Sequence, residues 1–198
     1  IMLDVILALL PAAIAGVIIF GLWSILVLAV CVVCCVGFEA LLYLIRKKPI
    51  PVGDLSAAVT GLLLALNLPA NTPWWQCLIG ALFAMVVVKG LFGGLGYNPV
   101  NPAITARVFM LVAFSAVAGG ANPTIVDLTT SATPLEQLAN GGEVPSLLNM
   151  FLGLHGGAIG ETCSVALLIG FVYLLVRKVI TWHTPVVFTA AVFVLYLI

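Results

Sequence analysis

The chain has 198 residues, of which 64% are hydrophobic and only 7% are charged, and its formal net charge at pH 7 is zero. Its mean hydropathy is +1.31. Soluble domains have about a quarter of their residues charged, so this composition excludes a soluble globular protein and indicates a membrane protein. The balanced charge also gives no basis for binding nucleic acid.

Long apolar runs predict an all-α polytopic membrane fold with six or seven membrane segments. We place these segments at about 4–21, 23–45, 54–70, 74–91, 102–118, 162–177 and 183–198. The first two are separate helices with a turn near residues 21–24, because one helix over 5–45 would be roughly 60 Å long. The third is short and contains Asn67 and Pro69, so the sequence leaves open whether it crosses the membrane or is a half-helix that re-enters.

The ends of the chain are apolar, without a basic leader or a polar tail. We therefore expect residues 1–198 to form a single transmembrane domain that is truncated at both ends. A polar stretch at 119–161 interrupts it, and residues 146–154 within that stretch are interpreted as a short apolar helix at the membrane surface.

The basic residues predict the orientation of the segments. Six of the seven lie at the ends of the second, fourth and sixth segments: Arg46, Lys47, Lys48, Lys89, Arg177 and Lys178. If these residues mark the cytoplasmic side, the N-terminus is cytoplasmic and the loop 119–161 faces outward. That loop contains Asp127, Glu136 and Glu143 and no Lys or Arg, which agrees with this orientation.

The most informative motif is DLTTSAT at residues 127–133, inside the polar loop. Taken alone, Asp and Thr in such a stretch indicate a turn, because their side chains bond to nearby backbone. The motif also resembles the acceptor sequence on which a flavin transferase esterifies the phosphate of FMN to the last Thr, here Thr133. The small residues Ser131 and Ala132 leave room for a phosphate, and Pro134 restricts Thr133 to extended conformations.

Three further stretches are similar to the family that comprises the D subunit of the Rnf complex and the B subunit of the sodium-pumping NADH:quinone reductase. They are KGLFGGLGYNPVNPA at 89–103, GET at 160–162 and ITWHTP at 180–185. The resemblance covers nearly the whole chain, and the loop and link motifs are closer to the Rnf protein. It implies a fold of about ten helices, of which part lies outside this chain.

The resemblance implies the following cofactors and site residues. FMN would be covalently bound to Thr133, with Asp127, Thr130, Ser131 and Ala132 completing the flavinylation motif. A flavin pocket would use Asn98, Asn101, Arg107, Gly160, Glu161 and Thr162, and a second, non-covalent flavin is left open. Direct contact of Asn98 or Asn101 with the outer flavin requires the 89–103 link to fold back into the membrane; otherwise these residues serve a redox site nearer the cytoplasm.

Several polar residues have two interpretations that the sequence leaves open. Asn98 and Asn101 suit a turn as well as a flavin ring, and Arg107 can pair with an anion or extend toward water. Glu39 is an intramembrane carboxylate, although it is expected near the inner interface within reach of water. The five cysteines are interpreted as small apolar residues rather than cluster ligands. His155 and His183 are interpreted as packing residues rather than metal ligands.

The resulting expectation is a subunit of an ion-translocating oxidoreductase, not catalytic alone, in the bacterial inner membrane. It would relay electrons through FMN between reduced ferredoxin and NAD⁺, coupled to export of Na⁺ or H⁺. Partner subunits would supply iron–sulfur centres, the second covalent FMN and the NAD site. The alternatives are a quinone-reductase subunit with the same flavin chemistry and, in a different class, a channel or transporter without redox chemistry.

Overall fold

A computed structural model describes residues 1–47, 52–92, 94, 97–98, 100–114, 146–153, 155 and 157–197, and every regular element in these ranges is helical. The predicted all-helical class is confirmed for this part of the chain. The elements are α1 (Met2–Phe20), α2 (Leu22–Ile45), a 3₁₀ turn (Val52–Asp54), α3 (Ser56–Leu66), α4 (Trp74–Leu82) continued by a π-helix (Phe83–Gly90), α5 (Pro102–Ala113), α6 (Leu147–Leu152), α7 (Ser164–Val176) and α8 (His183–Leu197).

The first two helices are long and apolar enough to cross a membrane. Their 19 and 24 residues correspond to lengths of about 28 Å and 36 Å, against a hydrocarbon core of about 30 Å. They are separated at Gly21, whose φ of 82° ends α1 and begins α2. The predicted turn at residues 21–24 is therefore confirmed, and a glycine stands where the backbone is left-handed.

The third helix is too short to cross a membrane alone. With 11 residues, α3 is about 16 Å long, roughly half the hydrocarbon core. After its last residue the Asn67 amide donates to the Leu63 carbonyl at 2.8 Å, and the Thr72 hydroxyl donates to the Pro69 carbonyl at 2.6 Å. These bonds satisfy backbone acceptors where the chain turns toward α4.

Charged residues gather at one end of the bundle. Arg177, after α7, donates to Asp4 in the first turn of α1 at 3.0 Å, so these two helices are antiparallel. The hydrogen bond to this carboxylate raises the pKa of the Arg177 guanidinium.

Helices α1 and α2 face each other antiparallel across an apolar groove, which brings Asp4 and the C-terminal part of α2 to the same end. At the opposite end Trp75 packs edge-on against Phe114, with ring centroids 5.5 Å apart.

Small residues allow the helices to approach closely. Fully buried side chains at the centre include Val27, Leu64 and Met110. A Cβ placed on Gly61 of α3 would lie 2.7 Å from the Val32 Cα and 2.8 Å from the Cys31 carbonyl oxygen of α2. Membrane helices pack in this way because lipid gives no hydrophobic drive for their association and close backbone contact replaces it.

The α2–α3 contact gives a first prediction. Gly61→Ala should lower stability by about 1–3 kcal/mol, because the new methyl meets backbone atoms that cannot rotate away. The matched control is Gly37→Ala, since a Cβ there meets nothing within 4 Å. The thermal midpoint in detergent, read by fluorescence-detected size exclusion, should fall for the Gly61 variant only. Equal midpoints for both variants would contradict this packing.

Candidate functional site

The predicted flavinylation motif, with Asp127, Thr130, Ser131, Ala132 and Thr133, lies outside the described residues. Its described flanks are Phe114, after α5, and Ser146, whose hydroxyl caps α6 by accepting from the Asn149 amide at 3.4 Å. Phe114 lies at the end of the bundle that lacks the charged pairs, and α6 packs on the beginning of α7. The described residues on either side of the motif thus lie toward the same end of the bundle.

Residues 157–163 form a turn that packs into the bundle, although most of them belong to the stretch that the sequence predicts as a polar loop. The Gly160 amide donates to the Leu66 carbonyl at 2.8 Å, and the Ile159 amide donates to the Leu68 carbonyl at 3.2 Å. These bonds satisfy carbonyls at the C-terminal end of α3. A Cβ on Gly160 would lie 2.6 Å from the Leu66 Cβ, so the glycine serves a close contact between two chain segments.

The other two residues of the GET motif differ in their surroundings. The Glu161 carboxylate accepts from the Ala158 amide at 3.1 Å and interacts electrostatically with Arg107 of α5. The structure therefore brings Arg107 and Glu161 together, as two of the predicted pocket residues. Thr162 is completely buried at the beginning of α7, and its hydroxyl has no hydrogen-bond partner among the described residues. Buried hydroxyls normally make a hydrogen bond, so the Thr162 hydroxyl is a group that can hydrogen-bond to a ligand.

The asparagines of the 89–103 link have separate surroundings. The Asn101 Oδ1 accepts from the Ala103 and Ile104 amides at 3.0 Å and 3.4 Å, so this side chain caps α5. The Asn98 Oδ1 is buried without a hydrogen-bond partner in the part of the link that is described. Asn101 thus has a local structural role, whereas the Asn98 Oδ1 can accept a hydrogen bond from another group.

The cap gives a second prediction. Asn101→Ala should cost about 1 kcal/mol of stability, because two amides of the first turn lose their acceptor. Asn101→Asp should retain most of that stability, since a carboxylate can also cap a helix. Chemical denaturation of the detergent-solubilised protein measures both changes. If Asn101→Ala slowed electron transfer without lowering stability, the flavin interpretation would be favoured over the cap.

A buried polar cluster joins α2, α3 and the π-helix. The Lys89 Nζ donates to the Glu39 Oε1 at 2.5 Å and to the Ser56 Oγ at 2.6 Å, and each of the three residues is only 3% exposed. Glu39 is therefore enclosed by protein instead of reaching water as expected, and Lys89 is buried beside it. The use of Lys89 as a marker of the cytoplasmic side stays a prediction. The two groups neutralise each other inside the bundle, and no local pattern links them because they are 50 positions apart in the sequence.

The cysteines and histidines show ordinary packing where they are described. Cys31 of α2 and Cys77 of α4 are completely buried, and all five cysteines are free. No group of three or more His, Cys, Asp or Glu residues within the described ranges has the arrangement of a metal site. His183 lies against Trp182, with ring centroids 4.0 Å apart.

Comparison with known proteins identifies the family. The NQR2, RnfD, RnfE family matches residues 1–198. The chain is 47% identical to the D subunit of the Na⁺-translocating ferredoxin:NAD⁺ oxidoreductase complex of Acetobacterium woodii, over 98% of this chain and 64% of the relative. It is 36% identical to the D subunit of the proton-translocating ferredoxin:NAD⁺ oxidoreductase complex of Clostridium ljungdahlii, over 98% of this chain and 63% of the relative.

A third relative is the D subunit of the ion-translocating oxidoreductase complex of Marinobacter nauticus, which is 36% identical over 97% of this chain and 63% of the relative. The chain thus spans somewhat less than two thirds of the length of these three proteins. The family match covers the whole chain and therefore includes all four motifs, at 89–103, 127–133, 160–162 and 180–185. The chain belongs to the NQR2, RnfD, RnfE family.

Proposed function

We propose that this chain is the membrane part of an electron-transferring subunit in an Rnf-type ferredoxin:NAD⁺ oxidoreductase complex that translocates Na⁺ or H⁺. The observation that carries the proposal is the 47% identity, over nearly the whole chain, to the D subunit of such a complex. Partner subunits would hold the iron–sulfur centres, the second covalent FMN and the NAD site. The apolar helices and the family support a location in the bacterial cell membrane.

The electron carrier of this subunit would be FMN esterified to Thr133. Its support is the DLTTSAT sequence, the hydroxyl that a phosphoester requires, and the position of the motif between Phe114 and α6. When bound, FMN would supply one-electron relay. A tether suits a carrier that must stay in place between turnovers.

The described residues that best fit a flavin are Asn98, Arg107, Glu161 and Thr162. Asn98 Oδ1 and Thr162 Oγ1 are buried polar atoms that the described protein groups leave without a hydrogen bond. Arg107 supplies a positive charge beside Glu161, suited to an anionic group. Gly160 and Asn101 would support this region through the Leu66 contact and the α5 cap.

The proposed orientation gives a third prediction. Arg46, Lys47 and Arg177 lie at the charged end of the bundle, which supports a cytoplasmic position for this end. We therefore expect Thr133 on the outer side. Single cysteines replacing Lys48 and Gly142 in a Cys-free background should react with an impermeant maleimide from opposite sides. Control samples permeabilised with detergent should label at both positions. Labelling of both sites from one side of intact membranes would refute the orientation.

The function is tested on the purified complex. The denatured subunit should fluoresce under ultraviolet light, and mass spectrometry should place FMN on Thr133. A channel or transporter would give no fluorescent band. The intact complex should reduce NAD⁺ with reduced ferredoxin; activity with NADH and quinone instead would favour the quinone-reductase alternative.

A further inference from the structure

An apolar groove lies between α7 and α8. It has a volume of about 490 Å³, which is within the roughly 300–1,000 Å³ of typical ligand pockets. Its walls are one residue of α7 and five residues of α8: Phe171, Pro185, Val186, Thr189, Ala190 and Phe193. Thr189 is the one polar side chain among them, and its hydroxyl donates to the Pro185 carbonyl at 2.8 Å. The groove therefore presents an apolar surface.

Basic residues stand at one end of this groove. The two helices are joined by only the six residues 177–182, so the groove lies inside a short helical hairpin. The link begins with Arg177 and Lys178, at the charged end of the bundle. Phe171 lies about 9 Å along α7 from Arg177, and Pro185 is in the first turn of α8. The groove thus opens toward these two cations.

Lys178 is the cation of this link that no carboxylate of the described ranges neutralises. Arg177 pairs with Asp4 at 3.0 Å, whereas no described Asp or Glu lies within ion-pair distance of Lys178. The Lys178 backbone is left-handed, with a φ of 56°. Its amide donates to the Leu175 carbonyl at 3.0 Å, in the type of helix end where glycine is usual. Closing α7 therefore does not explain why a charged side chain stands at this position.

An interfacial aromatic residue lies at the end of the same link. Trp182 is 58% exposed, and its ring centroid is 4.0 Å from that of His183. Indole rings are enriched at the level of lipid headgroups, because the N–H can reach polar groups while the ring stays in apolar surroundings. From the groove to the link, the surface thus changes from apolar to amphipathic and cationic, which is the order that a phospholipid requires.

We propose that the α7–α8 groove binds an anionic phospholipid of the leaflet at the charged end. One acyl chain lies in the groove between Phe171 and Phe193, and the phosphate accepts a hydrogen bond from the Lys178 ammonium. Charge complementarity selects this occupant, because a zwitterionic lipid brings an ammonium of its own toward Arg177 and Lys178. The binding requires neither flavin nor turnover, so it goes beyond the electron-transfer role proposed above.

The groove is less suited to a protein helix. It covers residues 185–193 of α8, which is about 12 Å of the roughly 30 Å over which a transmembrane helix would pack. Membrane helices approach each other along small residues, whereas the bulky side chains of Phe171, Val186 and Phe193 line this groove. An acyl chain is flexible and can follow such short, irregular walls.

Photo-crosslinking in the intact complex tests the proposal. The purified complex is reconstituted with phosphatidylglycerol or phosphatidylethanolamine, each with a diazirine at the same acyl-chain position, and mass spectrometry locates the labelled peptides. Phosphatidylglycerol should label residues 171–193 about fivefold more strongly, which is the selectivity that one basic residue near an anionic headgroup provides. The apolar groove between α1 and α2 is the reference. Its walls, between Ala13 and Val33, contain no basic residue, so both lipids should label it equally.

Variants at two equivalent helix ends separate the site from general surface charge. Lys178→Gly removes the charge and suits the left-handed backbone, so the fold should be retained while the two lipids label residues 171–193 about equally. Lys178→Arg should restore the preference for phosphatidylglycerol. The matched control is Lys47→Gly, which should keep the preference. Lys47 is left-handed after α2, with a φ of 52°, and no residue of α2 lines the α7–α8 groove. Ala190→Phe fills the groove and should lower labelling by both lipids.

Three results would overturn the proposal. Equal labelling of residues 171–193 by both lipids in the wild type would show that the headgroup charge is not recognised. An equal loss of preference in Lys47→Gly and Lys178→Gly would show that the positive charge of the whole end, rather than a site, attracts the lipid. Labelling of the α1–α2 groove alone would show that a partner subunit or a further segment of the chain covers the α7–α8 groove. Absence of FMN from Thr133 would refute the proposed function and leave these results unaffected.

Discussion

Replacing Thr133 by Ala is expected to abolish covalent flavin on this chain completely. The phosphoester requires a side-chain hydroxyl, and alanine has none. The helices should still insert and pack, because their boundaries depend on apolar runs and on contacts among the described residues of α1–α5 and α7. In-gel fluorescence of the denatured subunit measures the loss, and thermal stability of the assembled complex checks the fold.

Neighbouring hydroxyls provide the controls for this result. Thr129→Ala should retain the flavin, whereas Asp127→Ala should reduce it, because the transferase is expected to read the Asp as well as the acceptor. Thr133→Ser keeps a hydroxyl at the same position and should retain some modification. An unmodified Thr133 in an active wild-type complex, or FMN found on Thr129 or Thr130, would show that the acceptor is assigned wrongly.

The helices can be predicted from sequence because lipid imposes a simple rule on them. Each segment must satisfy its own backbone bonds, so apolar runs bounded by Gly, Pro and Asn define its limits. Gly21 and Asn67 mark two such limits, and both are helix ends in the structure. Within the candidate pocket, the motif at 160–162 is recognisable in the sequence, but its packing against α3 depends on contacts with Leu66 and Leu68 that no local pattern records.

The Glu39–Lys89 pair cannot be predicted for a related reason. Positive charge at the end of a membrane segment usually marks the interface, so the sequence predicts Lys89 at the surface. Its burial depends on the π-helix Phe83–Gly90, and no Gly or Pro within residues 84–89 signals a change of helix geometry. It depends also on a partner in another helix, since a lysine is buried only when its charge is compensated. The π-helix and the charged partner on α2 can therefore be recognised only in the three-dimensional structure.

The last prediction concerns the stability that this compensation provides. Lys89→Met should destabilise the protein by about 3–5 kcal/mol, because it leaves the Glu39 carboxylate buried without its counter-charge. Glu39→Gln/Lys89→Met removes both charges and should recover most of that loss, since uncharged groups of similar size need no counter-ion. Arg177→Met is the matched single control: its side chain is 58% exposed, and losing its bond to Asp4 should change stability far less, because solvent screens an exposed ion pair. Denaturant titration of the protein in mixed micelles measures all three variants. If Lys89→Met were as stable as Arg177→Met, hydration by water rather than the Lys89 charge would be stabilising the Glu39 carboxylate. The buried pair would then have no energetic role.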